Sequence, residues 1–420
     1  MTNLKEKSVL VIDSGGEYIS IAQRLARDFD TVFYCTMWVN SFPKFNTLCV
    51  GLNVPDITRI DSPFEILDDV DLIVIPDLYL GAMADWLRDC KKVVFGSGCG
   101  ENIEINRDEF YEWLDEVNLP TPEYKIIKGV NKLRNYLKDK ENKWVKMSLI
   151  RGNAETWNYK NARLSESRLD SLEHDLGAYK NEVVFVVTDS IDNCVEIGHD
   201  TFSISGKFPQ KLLMGIEIKD CGYAGKVINY EKLPEVLKTI DKKIAPFFKE
   251  TTYNGFFSTE VRYDGKKGYF GDITLRAPQP PSDLQCELFD NFSEIIWDVA
   301  NGVVPEIKTS KPYGVQIIIK SDWATNEAQA IYFPEKYAKN VKIKHLMIKD
   351  NVHYYVPSDN FPMQEIGSVV ATGNSLQEAI DLAKKIAKEV EGDCVHVNSD
   401  ALDEAEKEIQ KFKKFNLPTI

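Results

Sequence analysis

The sequence predicts a multidomain chain that mixes α/β and α+β architecture, with a parallel α/β unit at its start. Three observations carry this. The chain has 420 residues, 43% hydrophobic and 28% charged, which is more than one small core can use, so two or three packed units are expected. Up to about residue 100, short apolar runs alternate with a stretch of helical spacing, as a parallel sheet with crossovers requires. Beyond that point β-rich runs follow one another without a helix between each pair, the habit of antiparallel sheets.

The first unit opens with "SVLVIDSGG", an apolar run ending in a small-residue turn. "EYISIAQRLARDF" follows, with Ile19, Ile21, Ala22, Leu25 and Ala26 at helical spacing. "DTVFYCT", "DLIVIPD" and "KKVVFGSG" supply the further strands, and a ligand crevice is expected at the strand ends, where Ser14, Gly15 and Gly16 lie. "RDEFYEWLDEVNL" reads as a helix broken by the prolines of "PTPEY". After a charged helix, "NKWVKMSLIRGNAETWNY" gives a strand with Lys146 near its end, then a loop carrying Arg151, Gly152, Asn153 and Thr156. "EVVFVVTD", "NCVEIGHDTFSI" and "KLLMGIEIKDCGYAGKV" continue the β-rich pattern. A long helix is expected over residues 282–300, followed by strand-like runs from Tyr313 onward. Ser375 opens a helix with Glu378 three residues later, the reciprocal capping arrangement. A charged helix over residues 399–415 reads as a solvated face.

The stretch "FFSTEVRYDGKKGYFGDITLRAP" carries the chemistry. It reads as a hairpin with Asp264-Gly265 at its turn, and each strand places one acid, Glu260 or Asp272, in aromatic company facing inward. Buried carboxylates need a partner. One partner is an arginine, since Arg262 and Arg276 are near in sequence; the other is a divalent cation, for which carboxylate oxygens are suitable hard ligands.

Composition excludes other classes. A formal charge of −14 opposes a broad electrostatic grip on nucleic acid. No window approaches the ~20 apolar residues of a membrane span. The first residues are polar and charged without a signal-peptide core, so a cytoplasmic protein that uses neither nucleic acid nor membrane is expected. The eight cysteines and five histidines are dispersed, which suggests neither a disulfide framework nor a zinc site.

Taken in order, these stretches resemble the ATP-grasp carboxylate–amine ligases, and among them the phosphoribosylamine–glycine ligase family in particular. "VLVIDSGGEY" is similar to that family's opening strand and turn, "NRDEFYEWLDEVNLPTPEY" to its helix and Pro-Thr break, and "KWVKMS" to its Val-Val-Lys strand. "VVTDSIDNCVEIG" resembles the hinge, "CGYAGK" a Gly-rich turn, "GDITLR" the acid-x-Asn-x-Arg signature, and "VVATGNSLQEAIDLAKKIAK" the closing domain.

The resemblance implies an ATP-grasp fold with a Rossmann-like amino-terminal domain over 1–105, an ATP-grasp domain over 106–305 with a lid at about 122–189, and a small α+β domain over 306–420. It implies ATP and two Mg²⁺ ions, with Mn²⁺ as the alternative ion. Glu260, Asp272 and Thr274 match the metal ligands, Thr274 standing where the family has Asn. Arg276 and Arg151 are the catalytic candidates, with Arg276 facing the transferred phosphoryl group. Lys146 matches the lysine that reaches the phosphates, and Arg107 stands where a second lysine is expected. Glu196 matches the acid on the ribose and Thr188 lies in the hinge. Gly152, Asn153 and Thr156 occupy the place of the Gly-rich phosphate loop. Ser14, Gly15, Gly16, Gly222 and Lys226 fall at substrate-binding positions.

The implied reaction is amide formation through an acyl phosphate with release of ADP and phosphate. Its partners are small-molecule carboxylates and amines, an amino acid or peptide among them, handled by a monomer or homodimer. Two alternatives stand beside it: phosphoribosylamine–glycine ligase proper, and a non-catalytic ATP-binding scaffold of the same fold.

Overall fold

The structure is a computed structural model. It describes every residue except 1, 37–48, 150–155, 219–220, 325–326, 358–364, 400–401, 403–406, 408–410, 413, 416 and 419–420. The loop residues Arg151, Gly152 and Asn153 therefore lie outside the described residues.

The first unit is a parallel sheet of β1 (Ser8–Ile12), β2 (Thr31–Cys35), β3 (Thr58–Arg59), β4 (Leu72–Val74) and β5 (Val94–Phe95), in the order β3-β2-β1-β4-β5. Both faces of β1 are covered. Val9 and Val11 point into one cluster with Ile19, Ala22 and Leu25, and Leu10 and Ile12 into another with Ala84 and Leu87. The chain leaves β1 for β2 on one side, while β4 lies on the other, so the order reverses at β1/β4 and opens a crevice at their carboxyl ends.

The next sheet is antiparallel and built from β6 (Tyr124–Lys128), β7 (Lys143–Met147), β8 (Thr156–Tyr159) and β9 (Val184–Asp189), in the order β6-β9-β7-β8. It has its own core, in which Leu133 and Leu137 from the helix Val130–Leu137 meet Val145, Trp157 and Phe185.

The third sheet contains β10 (Val195–Ile204), β11 (Lys211–Ile218), β12 (Gly222–Asn229), β13 (Asn254–Tyr263), β14 (Gly268–Thr274) and β15 (Tyr313–Ser321). Their order is β14-β13-β10-β11-β12-β15, and the sheet continues into the strands Glu365–Gly373 and Val341–Ile343. The helix Glu235–Glu250 covers one face, packing Leu237, Ile240, Ile244 and Phe248 against Phe257 and Val261.

One contact holds β10 and β13 close at the point that matters for the site. Gly198 pairs with Glu260, and a Cβ on Gly198 would stand 2.1 Å from the Thr259 carbonyl oxygen. A backbone atom cannot swing aside. Gly198→Ala is therefore expected to lower stability by about 1–3 kcal/mol, the usual cost of overpacking, read as a drop in denaturation midpoint.

Two expectations need correction. Residues 282–300 form two helices, Ser282–Leu288 and Phe292–Ala300; Phe289 between them is extended, at φ −95° and ψ 104°. The charged stretch over residues 399–415 is not simply solvated, because Leu402 and Phe412 are fully buried and Phe415 lies 6.1 Å from the Tyr263 ring. Among the described residues of that run, the apolar Leu402, Phe412 and Phe415 are the ones that dock. The capping expectation at Ser375 holds in one direction: its side chain accepts the Glu378 N–H at 3.2 Å, while Glu378 reaches back past the cap to accept the Asn374 N–H at 2.9 Å. No described helix is long and apolar enough to cross a membrane.

Candidate active site

The β6–β9 sheet and the β10–β14 sheet face each other across a cleft of about 420 Å³. Lys146, Thr156 and Thr188 line it from one side, and Glu196, Glu260, Asp272, Thr274 and Arg276 from the other. Residues from several separate stretches, between Lys146 and Arg276, are thus brought together.

Register explains the pairing of the acids. Glu260 stands directly opposite Asp272 in the antiparallel ladder, with a bulge immediately after Glu260, so both carboxylates leave the same face. They are less buried than their aromatic neighbours suggest: the Glu260 side chain is 41% exposed and that of Asp272 20%. The aromatic residues alternate to the other face, where Phe257 and Phe270 fill the core.

Both acids already touch arginines. On the neighbouring strand pair, Glu196 is opposite Arg262, whose guanidinium reaches Glu196 at 2.5 Å and Glu260 at 3.3 Å. Asp272 pairs with Arg107 and also accepts the Ile273 N–H at 2.9 Å. Of the two arginines that are near in sequence, Arg262 is the one that reaches an acid of the hairpin, Glu260. Arg276 instead lies 3.3 Å from Glu104 and 3.7 Å from Asp77. Arg107, which the resemblance set among the nucleotide-binding candidates, is fully buried behind Asp272 because the helix Arg107–Glu116 begins beneath β14. Lys146 leaves the end of β7 over the Tyr111 ring, 5.6 Å from its centroid, and donates to the Gly271 carbonyl.

The cleft suits an anionic ligand with a hard cation. Two carboxylates and the Thr274 hydroxyl supply oxygen ligands of the kind Mg²⁺ takes, and Glu260 in particular is exposed toward the cleft. The Thr156 hydroxyl is buried, lines the cleft, and has no hydrogen-bond partner among the described residues, which leaves one oriented donor for a ligand oxygen. Among the described residues no three His, Cys, Asp or Glu side chains gather as a metal cage by themselves. An ion held here must draw other ligands from what it accompanies.

Sequence reasoning missed Asp200 and Tyr223, which line the same cleft; the Tyr223 hydroxyl donates to Asp200 at 2.6 Å, and burial raises the Asp200 carboxyl to about 6. No local signal marks them, since they lie on different strands. Gly222 and Lys226 are not brought to the cleft. Gly222 packs against the Gln316 backbone on β15, and the Lys226 ammonium lies 4.6 Å from the Tyr313 ring centroid.

Ser14, Gly15 and Gly16 also lie outside the cleft, in the crevice at the ends of β1 and β4. Asp13 builds their turn by accepting the Gly16 and Tyr18 N–H groups at 2.9 and 2.8 Å and the Tyr34 hydroxyl at 2.7 Å. Ser14 donates to Asp77 at 3.3 Å, and Asp77 in turn faces Arg276. Through Arg276, crevice and cleft adjoin. Glu17 meets Lys344 at 3.2 Å, and His345 donates its backbone N–H to Gly16, so the carboxy-terminal region closes the far wall.

This crevice is rich in acids whose carboxyls burial raises. Burial pushes Asp13 up to about 7, Asp77 to about 6 and Glu104 to about 7, with Arg276 pulling the last two down; burial likewise lifts Glu101 to about 7. A carboxyl raised on folding holds its proton more tightly in the native state. Its stabilisation is complete below the unfolded pKa of about 4 and is lost as pH rises through about 6–7. Thermal midpoints are therefore expected to fall as pH rises from about 5 to about 8, and Glu104→Gln to flatten that slope.

No protein-family model and no curated protein matches the sequence. Solved structures do. A phosphoribosylamine–glycine ligase from Thermotoga maritima superposes with a TM-score of 0.73 at 14% identity, over 94% of this chain and 99% of that one. A biotin carboxylase–β,γ-ATP complex from Campylobacter jejuni gives 0.63 at 15% identity, over 100% and 99%. The N5-carboxyaminoimidazole ribonucleotide synthetase from Thermotoga maritima gives 0.58 at 13%, over 92% and 99%. The chain has the ATP-grasp fold. In ATP-grasp terms, β6–β9 form the sheet that faces the central β10–β14 sheet across the cleft, and the acid-bearing hairpin belongs to the central sheet.

Proposed function

We propose that the chain is an ATP-dependent carboxylate–amine ligase that forms an amide through an acyl phosphate. The observation that carries this reading is the pairing of Glu260 with Asp272 across one ladder, facing a cleft whose opposite wall supplies Lys146 and Thr156. Fold alone does not determine chemistry; the reading rests on these side chains.

In the proposed reaction a substrate carboxylate oxygen attacks the terminal phosphorus of ATP and ADP departs. An amine then attacks the acyl carbon, phosphate leaves with the C–O electron pair, and the nitrogen loses a proton. Lys146 and the Thr156 hydroxyl bind phosphate oxygens, and Glu196 and the backbone near Thr188 orient the nucleoside. Arg276, at the junction of cleft and crevice, donates to the oxygens of the migrating phosphoryl group. A cation held by Glu260, Asp272 and Thr274 supplies charge neutralisation for the triphosphate when bound. The lid sheet excludes water that would hydrolyse the acyl phosphate. The acceptor sites fall to Ser14, Gly15 and Gly16 in the crevice.

The Thermotoga phosphoribosylamine–glycine ligase suggests one substrate pair to try first, glycine with phosphoribosylamine. The test is release of ADP and phosphate from Mg-ATP across a panel of carboxylates and amines. Stoichiometric ADP that appears only with a matched pair is the expected result. Nucleotide binding with no ADP from any pair identifies a scaffold instead.

A further inference from the structure

We propose that this chain secures its nucleotide with a single divalent cation, the Arg107 guanidinium taking the place of a second. The inference rests on the ligase reading above and concerns how the same cleft manages charge. Two dications about 3.5–4 Å apart, as in two-metal phosphoryl-transfer sites, need an acid that bridges them, one oxygen to each. Asp272 is placed for that task by its register opposite Glu260. Its Oδ1, however, is engaged twice, by the Arg107 guanidinium and by the Ile273 N–H at 2.9 Å. At most one oxygen remains for an ion.

The two arginines of the site differ in a way that decides which acid serves the metal. Arg262 is 40% exposed and sits on the cleft side between Glu196 and Glu260, so it can swing aside as a ligand enters and leave Glu260 to an ion. Arg107 is completely buried. Its backbone N–H is held by the Ser148 hydroxyl at 3.0 Å, and that hydroxyl donates to Asp108 at 2.8 Å, which fixes the start of the helix. Drawing the guanidinium off Asp272 would pull a fully buried charge away from a carboxylate it already pairs with, which opposes the change. The pair stays closed when nucleotide arrives. Thr274 agrees with this arrangement, since a hydroxyl is a poorer neutral ligand than a carboxamide oxygen and helps to complete one shell, not two.

The count of bound ions tests this directly. Wild-type protein saturated with a non-hydrolysable ATP analogue is titrated with Mn²⁺, bound metal is measured by equilibrium dialysis, and the bound ions are examined by electron paramagnetic resonance. One Mn²⁺ per bound nucleotide, with the hyperfine pattern of an isolated ion, is expected. Two per nucleotide with an exchange-coupled spectrum overturns the one-ion assignment while leaving the ligase reading in place. Nucleotide bound with no Mn²⁺ also overturns it. Failure to bind the analogue at millimolar concentration removes both. Arg107→Met is expected to raise the count to two per nucleotide; a count that stays at one in folded variant protein shows that Arg107 does not stand in for an ion. The wild-type count decides the matter even if the variant does not fold.

Discussion

Replacement of Arg276 by alanine is expected to lower kcat by about 10²–10³-fold, the effect of removing one donor aimed at charge that develops in a transition state, while the Kd for Mg-ATP changes little. The reason is position. Arg276 follows β14, lines the nucleotide cleft, and touches Asp77 and Glu104, which belong to the crevice where the acceptor is proposed to bind. A guanidinium there faces the phosphoryl group as it passes from ATP to carboxylate, with planar donors that a lysine cannot reproduce. Truncation also takes a counter-charge from Asp77 and Glu104, so both carboxyls hold protons more tightly and folding changes with them. Arg276→Lys separates the two effects. It keeps the positive charge between the acids and is expected to retain most of the stability, yet to remain slow. Steady-state kinetics beside thermal denaturation of both variants checks this. Equal kcat in wild type and Arg276→Lys would assign Arg276 a role in charge balance alone.

What the sequence could reveal follows from how local each signal is. β1, the turn at Ser14 to Gly16 and the helix Ile19–Leu25 are adjacent in the chain, and hydrophobic periodicity is enough to read them. The Asp264-Gly265 turn likewise sets the hairpin register that brings Glu260 opposite Asp272. Of the partners of those acids, Arg262 was within reach of sequence reasoning and does meet Glu260 at 3.3 Å, whereas the partner of Asp272 was not legible. Arg107 reaches Asp272 across 165 positions of sequence, and Arg276 meets Glu104 and Asp77, which arrive from distant parts of the chain. The break at residues 289–291 was hidden for another reason. Apolar residues continue through it with acceptable spacing, and only packing shows that Phe289 belongs to the core of a neighbouring layer. Residues 399–415 misled in the opposite sense, because a charged composition hid the apolar Leu402, Phe412 and Phe415, which dock.

Glu260→Gln and Asp272→Asn remove the same charge from facing positions, and their expected consequences differ. Glu260 is partly exposed and its Arg262 partner also has Glu196 at 2.5 Å, so the glutamine variant leaves no buried charge alone and is expected to fold normally. It removes the more accessible anionic ligand of the cation. Turnover is expected to fall by about 10³-fold, and the Mg²⁺ dependence of ATP affinity to disappear, since neutralisation of the terminal phosphates dominates phosphoryl transfer. Asp272→Asn acts first on the fold: Arg107 loses its carboxylate while remaining fully buried, which costs about 3–5 kcal/mol. Its catalytic defect then includes unfolding and must be read at a temperature where the variant is still native. Denaturant titration of both variants, with ATP binding measured at a series of Mg²⁺ concentrations, distinguishes the roles. If Glu260→Gln keeps both its turnover and its Mg²⁺ dependence, the acids are a structural ion-pair network and the cation belongs elsewhere.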